Sequence, residues 1–216
     1  MVRLLSGHKR VCRHLHIPLQ SGSNDILASM GRHYSSDFYL RRLQEISESI
    51  PQCCLGADVI AGFPGETDRD HCQTIEMINR SPLKYLHVFS YSAKRDTEAA
   101  LMKNHVNTQN KTRRMRELRS ISQQKSIEFI RSNVGSIINV LPDNTTINNL
   151  ECRVISDNYI RFNMDSSFIR SDNPTAVIFS NEHAASAIDR LSKYDQNIGN
   201  TEDPTVDAFG QGVARS

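Results

Sequence analysis

Three apolar runs, each followed by small and polar residues, constrain this sequence most: 13–19 before Gln-Ser-Gly-Ser, 53–61 before Gly-Phe-Pro-Gly-Glu-Thr, and 84–91. Helical patterns lie between them. Residues 23–30 make a short helix capped by Ser23 or Asn24. Ser35 and Ser36 are good N-caps for a second helix, with Tyr39, Leu43, Ile46 and Ile50 on one face before Pro51 ends it. After the second run, Thr67 can cap a helix that has Asp68 and Asp70 in its first turn, where the helix dipole favours them, and His71, Ile75 and Ile78 on its inner seam. Strand, helix, strand, helix, strand at this spacing predicts parallel β/α units, in an open sheet or part of a barrel. The run 53–61, with Val59 and Ile60, suits a strand buried on both faces.

The second half reads differently. Asn107 or Thr108 can cap a long helix to about Arg131, with Met115, Leu118, Ile121 and Phe129 inside and Lys111, Arg113, Arg114, Arg116, Arg119 and Lys125 outside. Beyond Gly135 the segments SIINVLP, LECRVIS, NYIRFNM and TAVIFS read as short strands separated by turn clusters, which predicts a small antiparallel β-barrel. The polar residues from about Asn197 onward are expected to lack order. The chain thus divides into a β/α region over 1–105, a basic connecting helix over 106–131, a barrel over 132–180 and a tail over 181–216.

Charge does not announce a partner. The balance of 26 Lys and Arg against 24 Asp and Glu leaves +2, so nucleic-acid binding has to be argued locally. No apolar run approaches the roughly 20 residues that span a bilayer, and the first residues lack the apolar core of a signal peptide, so a cytoplasmic protein without a membrane partner is expected. Five scattered cysteines, Cys12, Cys53, Cys54, Cys72 and Cys152, argue against a disulfide framework and read as small apolar residues.

Ligands of parallel β/α domains bind at the carboxyl ends of the strands, which is where 14–35 and 56–67 place their small and polar residues. Gly22, Gly62 and Gly65 permit close approach or positive φ, and Gln20, Ser21 and Ser23 offer short hydrogen-bonding arms. The residues alone predict a polar small-molecule site or well-capped loops.

PLQSGS with Met30, Arg32 and Tyr34 downstream, then DVIAGFPGET, then YLHVFSYS, in this order, resemble the methylthiotransferase family of radical S-adenosylmethionine enzymes over about residues 12–179. LHVFSYS is most similar to the subgroup acting on N6-threonylcarbamoyladenosine beside the tRNA anticodon. The resemblance implies a mixed α/β fold: the C-terminal half of a partial (β/α) radical-SAM barrel, followed by a TRAM-like antiparallel β-barrel that grips tRNA. Asn158, Tyr159, Ile160 and Arg161 match that module's N-Y-I-[RK] strand.

It further implies that Gln20, Ser21 and Ser23 lie near S-adenosylmethionine and that Arg32 pairs with its carboxylate through a bidentate guanidinium. Asp58 would bond a ribose hydroxyl or the amino group, unless it is a strand-end cap. Ile60, Gly62 and Glu66 would frame the adenine, unless Glu66 bonds the next helix's backbone. RNA would meet Lys111 and Arg114 on the helix and Tyr159 and Arg161 on the barrel, Tyr159 being otherwise a core residue.

Members of the family hold [4Fe-4S] clusters, one of them by a C-x-x-x-C-x-x-C motif, and no cysteines here have that spacing. His71 stands where the family has an aromatic residue, and Lys94, Arg95, Asp96 and Thr97 replace an R-P-G-T turn. The expectation is a methylthiotransferase fragment that is inactive alone and needs a missing N-terminal half to supply the clusters. The alternatives are a non-catalytic tRNA-binding remnant, or a methylthiotransferase for isopentenyladenosine in tRNA or for a ribosomal protein.

Overall fold

The computed structural model describes residues 11–146, 151–169 and 174–198. They fall into two compact units, the first comprising Leu15–Pro51 and Leu55–Lys125, the second comprising 11–14, Gln52–Cys54 and the described residues from 126 onward.

The elements follow the predicted β/α alternation: β1 (His14–His16), α1 (Asn24–Ser29), α2 (Ser36–Ser49), β2 (Cys54–Ala61), α3 (Asp68–Arg80), β3 (Tyr85–Ser90), a single turn α4 (Glu98–Leu101), and α5 (Thr108–Ser132). The strands form a sheet in the order β1-β2-β3. β2 and β3 are parallel, with Gly56 opposite Tyr85, Asp58 opposite His87 and Ile60 opposite Phe89. Beyond β1, the Leu19 N–H donates to the Asp58 carbonyl at 3.2 Å, and Gln20 bridges to Val59 in the parallel sense. Leu43, Leu55, Val59, Ile78, Leu83 and Leu118 are buried in this unit's core. α5 is tied to β3 by Ser122, whose Oγ accepts from the Leu86 N–H at 2.8 Å.

The caps explain where the helices begin. Ser23, Ser35 and Thr67 accept the first free N–H groups of α1, α2 and α3, and Thr67 forms a capping box with Asp70. Asp70 also accepts the Ser23 hydroxyl at 2.6 Å, so one carboxylate serves the starts of both helices. Burial raises its pKa, but the hydrogen bonds from Ser23 and Thr67 outweigh this and hold it below the usual carboxylate range. A depressed native pKa contributes stability that is full above the unfolded-state value and is lost as pH falls through the native one. Asp70→Asn is expected to cost about 1 kcal/mol near neutral pH, as lost caps do. It should also flatten the fall of the urea midpoint below about pH 4, and an unchanged acid limb would remove Asp70 from this role.

In the second unit, β4 (Ile137–Thr146), β5 (Glu151–Ser156), β6 (Arg161–Asp165) and β7 (Thr175–Ile178) form an antiparallel sheet in the order β6-β5-β4-β7. Ile138, Val140, Val154, Phe162 and Phe179 are buried, with the Phe162 and Phe179 rings edge to face at 5.1 Å. The structure corrects the sequence reading in three places. Among the described residues the sheet is open, with β6 and β7 at opposite ends, so the predicted barrel is not closed by strand pairing. Residues 158–160 belong to the turn before β6 and not to the strand. The buried Asn158 bonds Ser156 and Asn133, both at 2.7 Å, and Tyr159 takes φ +71°, which ends the ladder there. The region assigned to a tail begins with a helix, α6 (Asn181–Ile198), which buries Ala184 and Ala187; the expected loss of order after it falls outside the described residues. No helix among the described residues is long and apolar enough to cross a membrane.

Candidate functional site

Side chains two residues apart on a strand share a face, so the β2–β3 register sets Asp58 beside His87 in a row with Gly56, Tyr85, Ile60 and Phe89. His16 from β1 completes a cluster on that face. Its Nε2 lies 2.8 Å from Asp58 Oδ1, and His87 Nδ1 lies 3.3 Å from the same oxygen. The two imidazoles stack with centroids 4.7 Å apart. All three side chains are partly buried. Burial raises the Asp58 pKa, but hydrogen bonds from His16 and His87 overcome it and hold the carboxyl below its ordinary range.

Tyr85 positions this group. Its buried hydroxyl lies 3.1 Å from His16 Nδ1, on the side of the ring away from Asp58. The tyrosine fits because residue 56 has no side chain: a Cβ on Gly56 would sit 2.0 Å from Tyr85 Cζ and 2.4 Å from its hydroxyl oxygen.

The loops beyond β1 and β2 are held by bonds to the sheet and to α3. Gln20 holds φ +70°, and its backbone is fixed by bonds to Asp58 and Ile60. Ser21 and Ser23 are buried against α3. Ser21 Oγ lies 3.4 Å from Thr74 Oγ1, Ser23 bonds Asp70, and a Cβ on the intervening Gly22 would meet the Thr74 Cα at 2.5 Å. The loop packs on α3, which is why its residues are small. Arg32 is exposed beyond α1, and Ile60 is half-buried.

Gly62, at φ +78°, donates its N–H to Glu66 Oε2 at 2.7 Å. Glu66 is itself buried and paired with the buried Arg114, whose Nη1 reaches its carboxylate at 2.7 Å and its carbonyl at 3.0 Å. Glu66 therefore anchors the loop to α5.

Each of the four residues expected to meet RNA has a partner within the fold. Arg114 is paired with Glu66 and Asp68. Lys111 Nζ donates to the Tyr91 carbonyl at 3.0 Å and lies over the Tyr91 ring, its chain covering Gly62. Tyr159 is 9% exposed, with His14 stacked on its ring at 3.8 Å and the Arg161 guanidinium 4.9 Å from its centre. Arg161 is also bonded to Asp143 at 3.2 Å.

His16, His87 and Tyr85 were not singled out from the sequence. The signal for them was parity: each lies in an apolar strand on the face that the polar Asp58 occupies, and only the inter-strand register shows that they meet. Among the described residues, His16, Asp58 and His87 are the group of His, Cys, Asp and Glu close enough to share a metal ion. The five cysteines are free, Cys12 and Cys72 exposed and Cys53, Cys54 and Cys152 buried.

This is a β/α domain with a polar strand edge, and the comparisons with known proteins say of which kind. Residues 1–78 match the Radical SAM superfamily. The chain is 34% identical to a tRNA-2-methylthio-N(6)-dimethylallyladenosine synthase of Carboxydothermus hydrogenoformans, over 65% of this chain and 32% of that one. It is equally 34% identical to the threonylcarbamoyladenosine tRNA methylthiotransferases MtaB of Bacillus subtilis, over 66% of this chain and 32% of that one, and of Aquifex aeolicus, over 74% and 38%. Coproporphyrinogen III oxidase of Escherichia coli, a radical SAM enzyme, is a structural neighbour at TM-score 0.47 and 14% identity, covering 71% of this chain and 41% of that one, a likeness too loose to argue from. The chain belongs to the radical SAM superfamily and is a homologue of its tRNA methylthiotransferases. It spans about a third of the length of these relatives.

Proposed function

We propose that the chain carries the later part of the radical-SAM barrel, and a TRAM-like RNA-binding unit, of a tRNA methylthiotransferase that adds a methylthio group to C2 of N6-threonylcarbamoyladenosine beside the anticodon. The observation that carries this reading is the match over 65% to 74% of the chain to relatives named for that class of reaction. Gln20, Ile60 and Arg32 would hold S-adenosylmethionine, the guanidinium taking its carboxylate. When bound, S-adenosylmethionine would supply the radical and the methyl group, and the iron-sulfur clusters the reducing electron and the sulfur. The cluster thiolates would come from the part of such an enzyme that this sequence does not contain.

The motif LHVFSYS at β3 favours threonylcarbamoyladenosine as the substrate. Relatives named for dimethylallyladenosine align equally well and support the second reading. Mass spectrometry of nucleosides from total tRNA, with and without the gene, separates them. Loss of 2-methylthio-N6-threonylcarbamoyladenosine alone is the expected result. Loss of the dimethylallyl counterpart selects the second reading, and retention of both overturns methylthiotransfer.

A further inference from the structure

We propose that His16, Asp58 and His87 form a binding site for one divalent transition-metal ion, zinc being the natural occupant. Two imidazoles and one carboxylate, one from each strand of the parallel sheet, present ligand atoms within 4.8 Å of one another. The separations from Asp58 Oδ1 to His16 Nε2 and His87 Nδ1, 2.8 and 3.3 Å, are close to the roughly 3.3 Å edge of a tetrahedron with zinc–ligand bonds of about 2.0–2.1 Å. The third separation, between the two histidine nitrogens, is at most 4.8 Å, and side-chain rotation would bring all three ligand atoms onto one ion. Magnesium and calcium prefer all-oxygen shells, whereas two imidazoles with a carboxylate suit zinc, cobalt, nickel or iron.

A second observation supports the site. Metal-bound histidines almost always hydrogen-bond through the other ring nitrogen, and here His16 Nδ1 is held by the buried Tyr85 hydroxyl, which the missing side chain at Gly56 admits. That partner fixes the ring so that Nε2 points at Asp58. Three protein ligands leave a fourth position for water or a substrate oxygen, as in zinc sites that act as Lewis acids. The partial exposure of all three side chains leaves that position open to solvent.

The cluster contains no thiol, and its test does not depend on the methylthiotransferase reading. The test is a titration of the chelator-treated chain with cobalt(II), followed by visible absorption and by competition with zinc. One equivalent is expected to bind, with weak d–d bands and without the intense thiolate charge-transfer absorption that cysteine ligands give. Asp58→Asn or His87→Ala should weaken binding at least 100-fold, and Tyr85→Phe should weaken it about 10- to 100-fold. Should a variant fail to fold, the wild type still decides the matter: zinc must shift the side-chain nitrogen resonances of His16 and His87 in the NMR spectrum. Absence of saturable binding, thiolate charge-transfer bands, or zinc-insensitive resonances at these two histidines overturns the proposal.

Discussion

Replacing Arg114 with alanine is expected to unfold the first unit under conditions where the wild type is stable. Both partners of the Arg114–Glu66 pair are buried, with side chains only 3% and 2% exposed. Removing the guanidinium strands a carboxylate away from water, a change that typically costs about 3–5 kcal/mol, out of a total stability on the order of 5–15 kcal/mol. The Gly62 turn, whose N–H donates to Glu66, would lose its anchor with it. Arg114→Lys should not rescue, because a single ammonium cannot serve Glu66 and Asp68 together as the guanidinium fork does. The double change Glu66→Gln with Arg114→Met should recover part of the loss, since a buried pair is often replaceable by packed neutral groups. Urea unfolding followed by circular dichroism measures all three variants. A loss under about 1 kcal/mol for Arg114→Ala would show the pair to be hydrated in solution.

Arg114 also shows where the sequence stopped being legible. Strands, caps and the β/α order follow from local chemistry: a β-branched run, a serine or threonine before a helix, a proline after one. Those signals located β2, the Thr67 capping box and the inward face of α2. The buried stripe of α5 was not readable in the same way because it is partly polar. Arg114, Leu118, Ser122 and Ser126, four residues apart, are all buried, and three of them are hydrophilic. A pattern search that equates burial with hydrophobicity places such a stripe on the outside. The NYIR segment failed for a related reason: its burial comes from Asn158 pairing with Ser156 and Asn133, a tertiary arrangement that periodicity does not encode. In the candidate site, Asp58 was visible as a charge in an apolar strand, whereas His16 and His87 acquire meaning only through the register of three strands separated by helices.

Tyr159→Ala should have the second large effect. Emptying a buried aromatic site costs about 3–5 kcal/mol when the surroundings relax only partly. Here the loss also releases the His14 ring and the Arg161 guanidinium from their contacts. Tyr159→Gly should be slightly less damaging than alanine, because glycine carries no strain at φ +71°. Hydrogen exchange of the full chain distinguishes the two roles this tyrosine can have. Faster exchange throughout β4, β5 and β6 is the expected outcome. Unchanged protection together with loss of tRNA binding would mean that the ring meets RNA and that the packed arrangement opens to admit it.

The contact between Gly56 and Tyr85 makes the two positions one variable in the history of the protein. A single mutation at 56 places a methyl group inside the tyrosine ring, and a single mutation at 85 leaves a void and an unsupported His16. Each path away from the pair begins with a loss, so homologues should keep both residues or exchange both, a larger side chain at 56 arriving with a smaller one at 85. A lineage that made the exchange would give up the hydroxyl on His16, and the orientation of the His16–Asp58–His87 cluster would drift with it. Joint conservation of 56 and 85 would therefore track selection on the cluster itself, in a way that conservation of either histidine alone does not.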